Sequence, residues 1–356
     1  MAKKVTLSLP ELPSKNIIVF LIILIIGVIG IIVLKNLYME KKEKSASEKR
    51  EIYIGAWVQD FWNNDTKTLS PQKLKDFEKL VDKKMAIAHF YRGWAEIQDE
   101  AFINQLKVID KNGWVPMVSS NPYFYEDCRQ EDVPLYAVIA QGRCDTLMRQ
   151  TARAFKAFNK PVFFRFAWEV NIPTLPWSLE MTKSTTGDYV SAWTRFHQIM
   201  EEEGATNVIW VFSPNVKSHA EDMSYTTIYP GNDVVDWIAL DGYNWGTTQE
   251  WSRWSTFDEV YRESYIELTT LAPNKPLMIA EVNSAHIGGD QSVWLADMLG
   301  TQIPENFPRV KAVVLFNEDK TLQDGVDWRI EKSHKSIGVL RYVFDQHPHY
   351  SSTLTF

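Results

Sequence analysis

Cysteine is scarce, with two in 356 residues. That excludes a disulfide-stapled miniprotein and a multi-zinc protein. Positive charge is not in excess either. The formal net charge is −7, which excludes a nucleic-acid binder that relies on a basic surface. No repeat at a period of roughly 20–50 residues is present, and no Gly/Ser linker interrupts the chain after residue 51. No cofactor motif appears. What the chain has in quantity is aromatic side chains: 14 Trp, 14 Tyr and 18 Phe. With 45% hydrophobic residues, it is too apolar for a disordered polymer.

The first 50 residues form a separate object. Residues 17–34 are an uncharged, Ile-rich run that nearly spans a bilayer core as a helix. A cleaved signal peptide has a shorter apolar region, followed closely by a small-residue cleavage site. Here Lys35, Asn36 and Leu37 follow instead. The sequence therefore predicts an N-terminal tail over 1–15, a transmembrane anchor over 16–35 and a charged linker over 36–51. Lys3, Lys4 and Lys15 precede the run, and Lys35, Lys41, Lys42, Lys44, Lys49 and Arg50 follow it. A literal count favours a cytoplasmic C-terminal domain, yet long domains translocate against that bias. Function has to decide the side.

From residue 52 the pattern alternates. Short β-rich runs fall at 52–57, 85–90, 114–119, 162–168, 208–213, 234–243, 277–282 and 310–317. Stretches of helical periodicity lie between them. Ser70-Pro71 opens the first, and the fifth, near 223–228, is weak. Eight strands alternating with helices over about 300 residues predict an α/β fold, a (β/α)₈ TIM barrel over 52–346 with a C-terminal tail over 347–356. A doubly wound open sheet would need a Gly-rich phosphate loop after the first strand. Gly55-Ala56-Trp57 is not one.

In a barrel the chemistry sits at the C-terminal ends of the strands. Alternation along the fourth strand puts Phe163, Arg165, Ala167 and Glu169 on one face, and Val162, Phe164, Phe166 and Trp168 on the other, under the helices. An inward Arg and Glu need each other or a polar site. The seventh strand also ends in one carboxylate, Glu281, expected to share a face with Leu277 and Ile279. Two carboxylates ending two strands suit glycoside hydrolysis, one as acid and base, the other as nucleophile. The bland alternative is that each Glu caps its strand and pairs with a nearby cation. The aromatic excess favours the first reading, because sugar rings stack on Trp and Tyr. Trp57, Trp94, Trp177, Tyr243 and Trp245 all fall at or just beyond strand ends. His89, ending the second strand, is a further site candidate.

At these residues the chain resembles glycoside hydrolase family 26, the β-mannanase and lichenase-type retaining enzymes. The resemblance rests on Arg165-Phe-Ala-Trp-Glu-Val-Asn171 with Pro176-Trp177-Ser178, on Glu203-Gly-Ala-Thr-Asn-Val-Ile-Trp-Val-Phe-Ser-Pro-Asn215, on Asp241-Gly-Tyr-Asn-Trp245, and on Ala272-Pro-Asn-Lys-Pro-Leu-Met-Ile-Ala-Glu281. It implies Glu169 as acid/base and Glu281 as nucleophile. It implies Arg165 as the Arg four residues before the acid/base, Tyr243 as the Tyr that hydrogen-bonds the nucleophile, and Trp177 as an aromatic of the loop that follows. Asn171, Trp245, Trp94, Trp57, His89 and Phe316 complete the expected substrate-binding set. The chain departs from the family where Trp168 replaces the usual His, where Ile172 follows Asn171 in place of Gly, near Thr174, and at Phe316-Asn317.

The expected function is a membrane-anchored retaining endo-β-glycanase, acting outside the cell on a β-mannan, β-glucan or related polysaccharide. Two alternatives stay open: trimming a self-made polysaccharide beside its synthesis or export machinery, and non-hydrolytic sugar binding on a degenerate barrel. Cys128 and Cys144 could pair if the domain lies outside the membrane. His347-Pro-His349 reads as a solvated tail, and Asn64-Asp-Thr66 as a sequon by pattern.

Overall fold

The computed structural model describes residues 35, 50–63, 68–97, 100–122, 128, 132–218 and 222–355. The chain divides into two units, Met1–Lys49 and Arg50–Phe356. Apart from Lys35, the expected anchor lies outside the described residues, as does the sequon. Among the described residues no helix is long and apolar enough to cross a membrane.

The second unit is a closed parallel barrel. Its strands are β1 (Ile52–Val58), β2 (Ile87–Gly93), β3 (Val115–Asn121), β4 (Val162–Phe166), β5 (Val208–Phe212), β6 (Trp237–Asn244), β7 (Leu277–Ser284) and β8 (Val310–Asn317). They pair in chain order, and β8 returns to β1 through Tyr53↔Ala312 to Val58↔Asn317. Gly55 marks a close approach inside it. A Cβ there would lie 2.8 Å from Ile87 Cβ and 2.9 Å from the Ile87 carbonyl oxygen.

Helices α1 (Pro71–Val81), α2 (Glu100–Lys111), α3 (Leu135–Ala140), α4 (Asp145–Phe158), α5 (Thr186–Glu203), α6 (Phe257–Leu271), α7 (Gln291–Asp297) and α8 (His334–Gln346) connect the strands. Their ends follow the local chemistry. Thr185 with Asp188, and Thr256 with Glu259, form reciprocal capping boxes at the starts of α5 and α6. Gly204 ends α5 in the left-handed region. After β5 the weak helical signal becomes a single 3₁₀ turn, Tyr225–Thr227. The expected C-terminal tail is also more than a tail. Tyr350–Ser351 adds a short parallel strand to β1, and the buried Tyr350 hydroxyl donates to the Leu299 carbonyl at 2.7 Å.

The core has two parts. A thick aromatic and aliphatic layer fills the space between strands and helices. A smaller plug of Ile87, Met117, Phe163, Val211, Ala239, Met278 and Val314 fills the barrel's lower interior. Inward side chains recur every second residue. The next inward position above this plug is therefore the floor of the site.

Candidate active site

One layer above the plug, six consecutive strands each bring one polar side chain inward. They are His89 from β2, Ser119 from β3, Arg165 from β4, Ser213 just past β5, Asp241 from β6 and Glu281 from β7. Arg165 is the hub and its side chain is fully buried. Its Nη1 donates to Glu281 Oε1 at 2.7 Å and to Ser119 Oγ at 3.0 Å. Its Nη2 donates to Ser213 Oγ at 3.0 Å and pairs with Asp241 Oδ2. Burial would lower the guanidinium pKa, but Asp241 and Glu281 hold it above its ordinary value. Arg165 Nη1 also lies 3.3 Å from His89 Nε2. Guanidinium only donates, so Nε2 is the acceptor. Burial and the Arg165 charge push His89 well below its ordinary pKa and keep the ring neutral.

Glu281 is turned inward by a β-bulge. Ala239 pairs with Met278 and Leu240 with Ile279, but Asp241 pairs with Glu281, so Ala280 is an extra residue on β7. The same step appears against β8, where Val313 pairs with Ile279 and Leu315 with Val282. This corrects the expected alternation. Leu277 and Ile279 pack outward under the helices, on the face opposite Glu281. Tyr243, two residues after Asp241 on β6, donates its hydroxyl to Glu281 Oε2 at 2.6 Å. Tyr261 on α6 braces the pair of strands, its hydroxyl reaching the Gly242 carbonyl at 2.7 Å and the Glu281 carbonyl at 3.1 Å.

Glu169 is reached differently. β4 ends at Phe166, and both Ala167 (φ 49°) and Glu169 (φ 52°) adopt left-handed backbone. Such a conformation is costly for non-glycine residues and persists only where surrounding bonds hold it. Here Ala167 N donates to the Ser120 carbonyl and Glu169 N to the Ser213 carbonyl, each at 2.8 Å. Asn215 Nδ2 donates to Glu169 Oε1 at 2.6 Å. Asn171 in turn clamps Asn215, accepting from its backbone N–H and donating to its carbonyl, both at 2.9 Å. Burial, then the charge of Glu281, raise the Glu169 pKa from 4.5 to about 7, against the opposing pull of Asn215, Arg165 and Lys320.

The left-handed turn at Ala167 also breaks the expected phase of Trp168. It does not pack under the helices. Its ring lies 5.3 Å from Tyr91 and 4.5 Å from Trp177. Trp177 Nε1 donates to the Trp168 carbonyl at 2.7 Å. Across the mouth, Trp57 packs edge-on to Tyr91 and hydrogen-bonds Glu318 Oε2 at 2.7 Å. Phe316 packs edge-on to Tyr243 at 5.5 Å, and Trp245 lies 6.3 Å from Tyr243.

The structure thus brings Glu169, Glu281, Arg165, Tyr243, His89, Trp57, Trp177, Phe316 and Trp245 around one mouth. Asn171 joins them through Asn215. It does not bring Trp94 there. That buried ring packs on Phe166 and Phe196, in the layer between barrel and helices. Asp241, Ser213, Asn215, Tyr91 and Glu318 escaped the sequence reading. Asp241 alone carried a usable signal, lying two residues before Tyr243 on the same strand face. Between β3 and α4, Cys128 and Cys144 are joined as a disulfide, Cα–Cα 5.1 Å.

Residues 136–286 match the sequence profile of glycosyl hydrolase family 26. The chain is 32% identical over 292 residues to Endoglucanase H of Acetivibrio thermocellus, covering 81% of this chain and 30% of that protein. It is 23% identical over 258 residues to a mannan endo-1,4-β-mannosidase of Bacillus subtilis, covering 65% of each. The chain thus spans less than two thirds of either relative. Among solved structures, a Bacillus subtilis mannanase superposes with a TM-score of 0.57 at 20% identity, over 85% of this chain and 88% of that one. A β-mannanase from Bacteroides ovatus gives 0.57 at 17% identity, over 87% and 92%. These two likenesses concern the barrel fold. The matched segment runs through both site carboxylates, and it is there that the chain is similar to glycosyl hydrolase family 26.

Proposed function

We propose that the chain is a retaining endo-β-glycanase that cleaves internal bonds of a β-mannan, β-glucan or related polysaccharide. The observation that carries this reading is the contrast between two carboxyl groups in one mouth. Glu281 accepts hydrogen bonds from a guanidinium and a phenol. Glu169 accepts one from an amide and has its pKa raised to about 7.

Glu281 Oε attacks the anomeric carbon as the glycosidic C–O bond breaks. Glu169 gives its proton to the departing oxygen. Water then attacks the glycosyl–Glu281 ester, Glu169 takes the water's proton, and Glu281 leaves as carboxylate. Arg165 and Tyr243 aim the Glu281 oxygens, while Asn215 fixes Glu169. The ring faces around the mouth suit the apolar faces of sugars.

The anchor expected over residues 16–35 would hold the barrel at a membrane. The Cys128–Cys144 disulfide supports an extracytoplasmic side, because such bonds persist in oxidising compartments. The test is reducing-end release from galactomannan, mixed-linkage β-glucan and carboxymethyl cellulose by a fragment starting at residue 51. Hydrolysis of at least one is expected, and turnover of none would overturn the proposal. Membrane fractionation of the full chain, with release of the barrel by protease added outside intact cells, tests the anchor and its side.

A further inference from the structure

Trp251 is 69% exposed, an unusual setting for a residue with so much apolar surface. It sits in the loop that follows β6. Its ring meets Trp245 edge-on at 5.3 Å. Trp245 lies 6.3 Å from Tyr243, and the buried Trp328 packs against both, at 5.0 and 4.8 Å. The Tyr243 hydroxyl lies 2.6 Å from Glu281 Oε2. An unbroken series of ring contacts therefore starts at one site carboxylate and ends in solvent at Trp251.

The loop that carries the ring is tied down on both sides of it. Ser252 Oγ donates to the Gly246 carbonyl at 2.9 Å and accepts from Gln249 N at 3.1 Å. Gln249 Nε2 donates to the Asp324 carbonyl at 2.7 Å, tying this loop to the one after β8. Gly246 has φ 56°, and a Cβ there would fall 1.8 Å from the Ile287 carbonyl oxygen, so the turn admits only glycine. A loop ordered before binding loses little freedom when a ligand arrives.

We propose that Trp251 is a distal stacking platform for the same β-linked glycan that lies between Glu169 and Glu281, engaging the apolar face of a sugar beyond those that touch the carboxylates. This rests on the glycanase reading and adds a residue that makes binding depend on chain length. The occupant follows from continuity: the ring series leads from the platform to the reacting carboxylates, and the platform presents an uncharged aromatic face.

The experiment compares the full chain and its Trp251→Ala variant on manno-oligosaccharides and mixed-linkage gluco-oligosaccharides of increasing length. The ratio of kcat/KM on long substrates to that on the shortest one cleaved should fall about tenfold in Trp251→Ala, mostly through KM. Trp251→Tyr should restore most of it, and Leu322→Ala, on the adjoining loop, should leave the ratio alone. An unchanged ratio overturns the proposal, as does an equal loss at every length. A second arm measures retardation in gels containing galactomannan or mixed-linkage β-glucan, with Glu281→Ala as background. Retardation that Trp251→Ala weakens, without hydrolysis by the parent chain, keeps the platform and rejects the glycanase. Hydrolysis with a length-independent Trp251→Ala loss keeps the glycanase and rejects the platform. Neither hydrolysis nor retardation rejects both.

Discussion

The two carboxyl groups of the mouth share a barrel but not an environment. Glu281 stands on a strand, rotated inward by one extra residue, and its oxygens meet Arg165 and Tyr243. Glu169 stands past a strand end on left-handed backbone, and its carboxyl accepts from the neutral amide of Asn215. The first setting holds both carboxyl oxygens in place. The second favours a proton that can be given and taken back near neutral pH, since burial beside another carboxylate disfavours ionisation. On the proposed reading the same side chain serves two tasks because of what surrounds it.

The comparison breaks most completely at Glu281. Glu281→Ala should cost on the order of 10⁴-fold or more in kcat on polysaccharide. Azide should restore turnover and give the α-glycosyl azide, by one inverting attack in the space left behind. Glu169→Ala should cost about 10²–10⁴-fold on polysaccharide. It should cost far less on a dinitrophenyl glycoside, whose leaving group needs no proton, and azide should now give the β-glycosyl azide. Identical azide products from the two variants would remove the distinction.

Arg165→Met should act on folding as well as on rate. It leaves Asp241 and Glu281 buried without their cation, a loss of about 3–5 kcal/mol in unfolding free energy read from denaturant titration. A variant as stable as the parent would show that the hub is dispensable.

The smallest effects sharpen the comparison through pH. Glu169 must hold its proton to act as acid, so kcat/KM should fall as pH rises through about 7. Asn215 pulls that pKa down, so Asn215→Ala should move the limb upward, and Asn171→Ala, acting through Asn215, should move it less. Stability carries the same sign. Because the folded pKa is raised, the folded chain holds the extra proton between pH 4.5 and about 7. Stability from this group is full below that window and is lost as pH rises through it. Glu169→Gln should abolish that slope in thermal melts.

Much of this was legible because charge is rare on barrel strands. Arg165 on an otherwise apolar β4, and single Glu residues at 169 and 281, stood out against their neighbours, and strand–helix alternation gave the barrel. What was not legible turns on backbone. Nothing in Ala280 announces a bulge, and nothing in Ala167 announces a left-handed turn, yet these two residues set the directions of Glu281 and Trp168. Trp94 lies near a strand end like Trp57 but turns to the helix layer, a choice made by Phe166 and Phe196 rather than by local sequence. Asn215 lies in a loop, where no periodicity assigns a side chain a direction.

The central claim is the division of labour between the two carboxyl groups, and covalent trapping tests it most directly. Incubation with an activated 2-deoxy-2-fluoro glycoside of the preferred substrate, followed by peptide mass spectrometry, should find the glycosyl adduct on Glu281. An adduct on Glu169, or turnover with inversion and no adduct, would contradict the account.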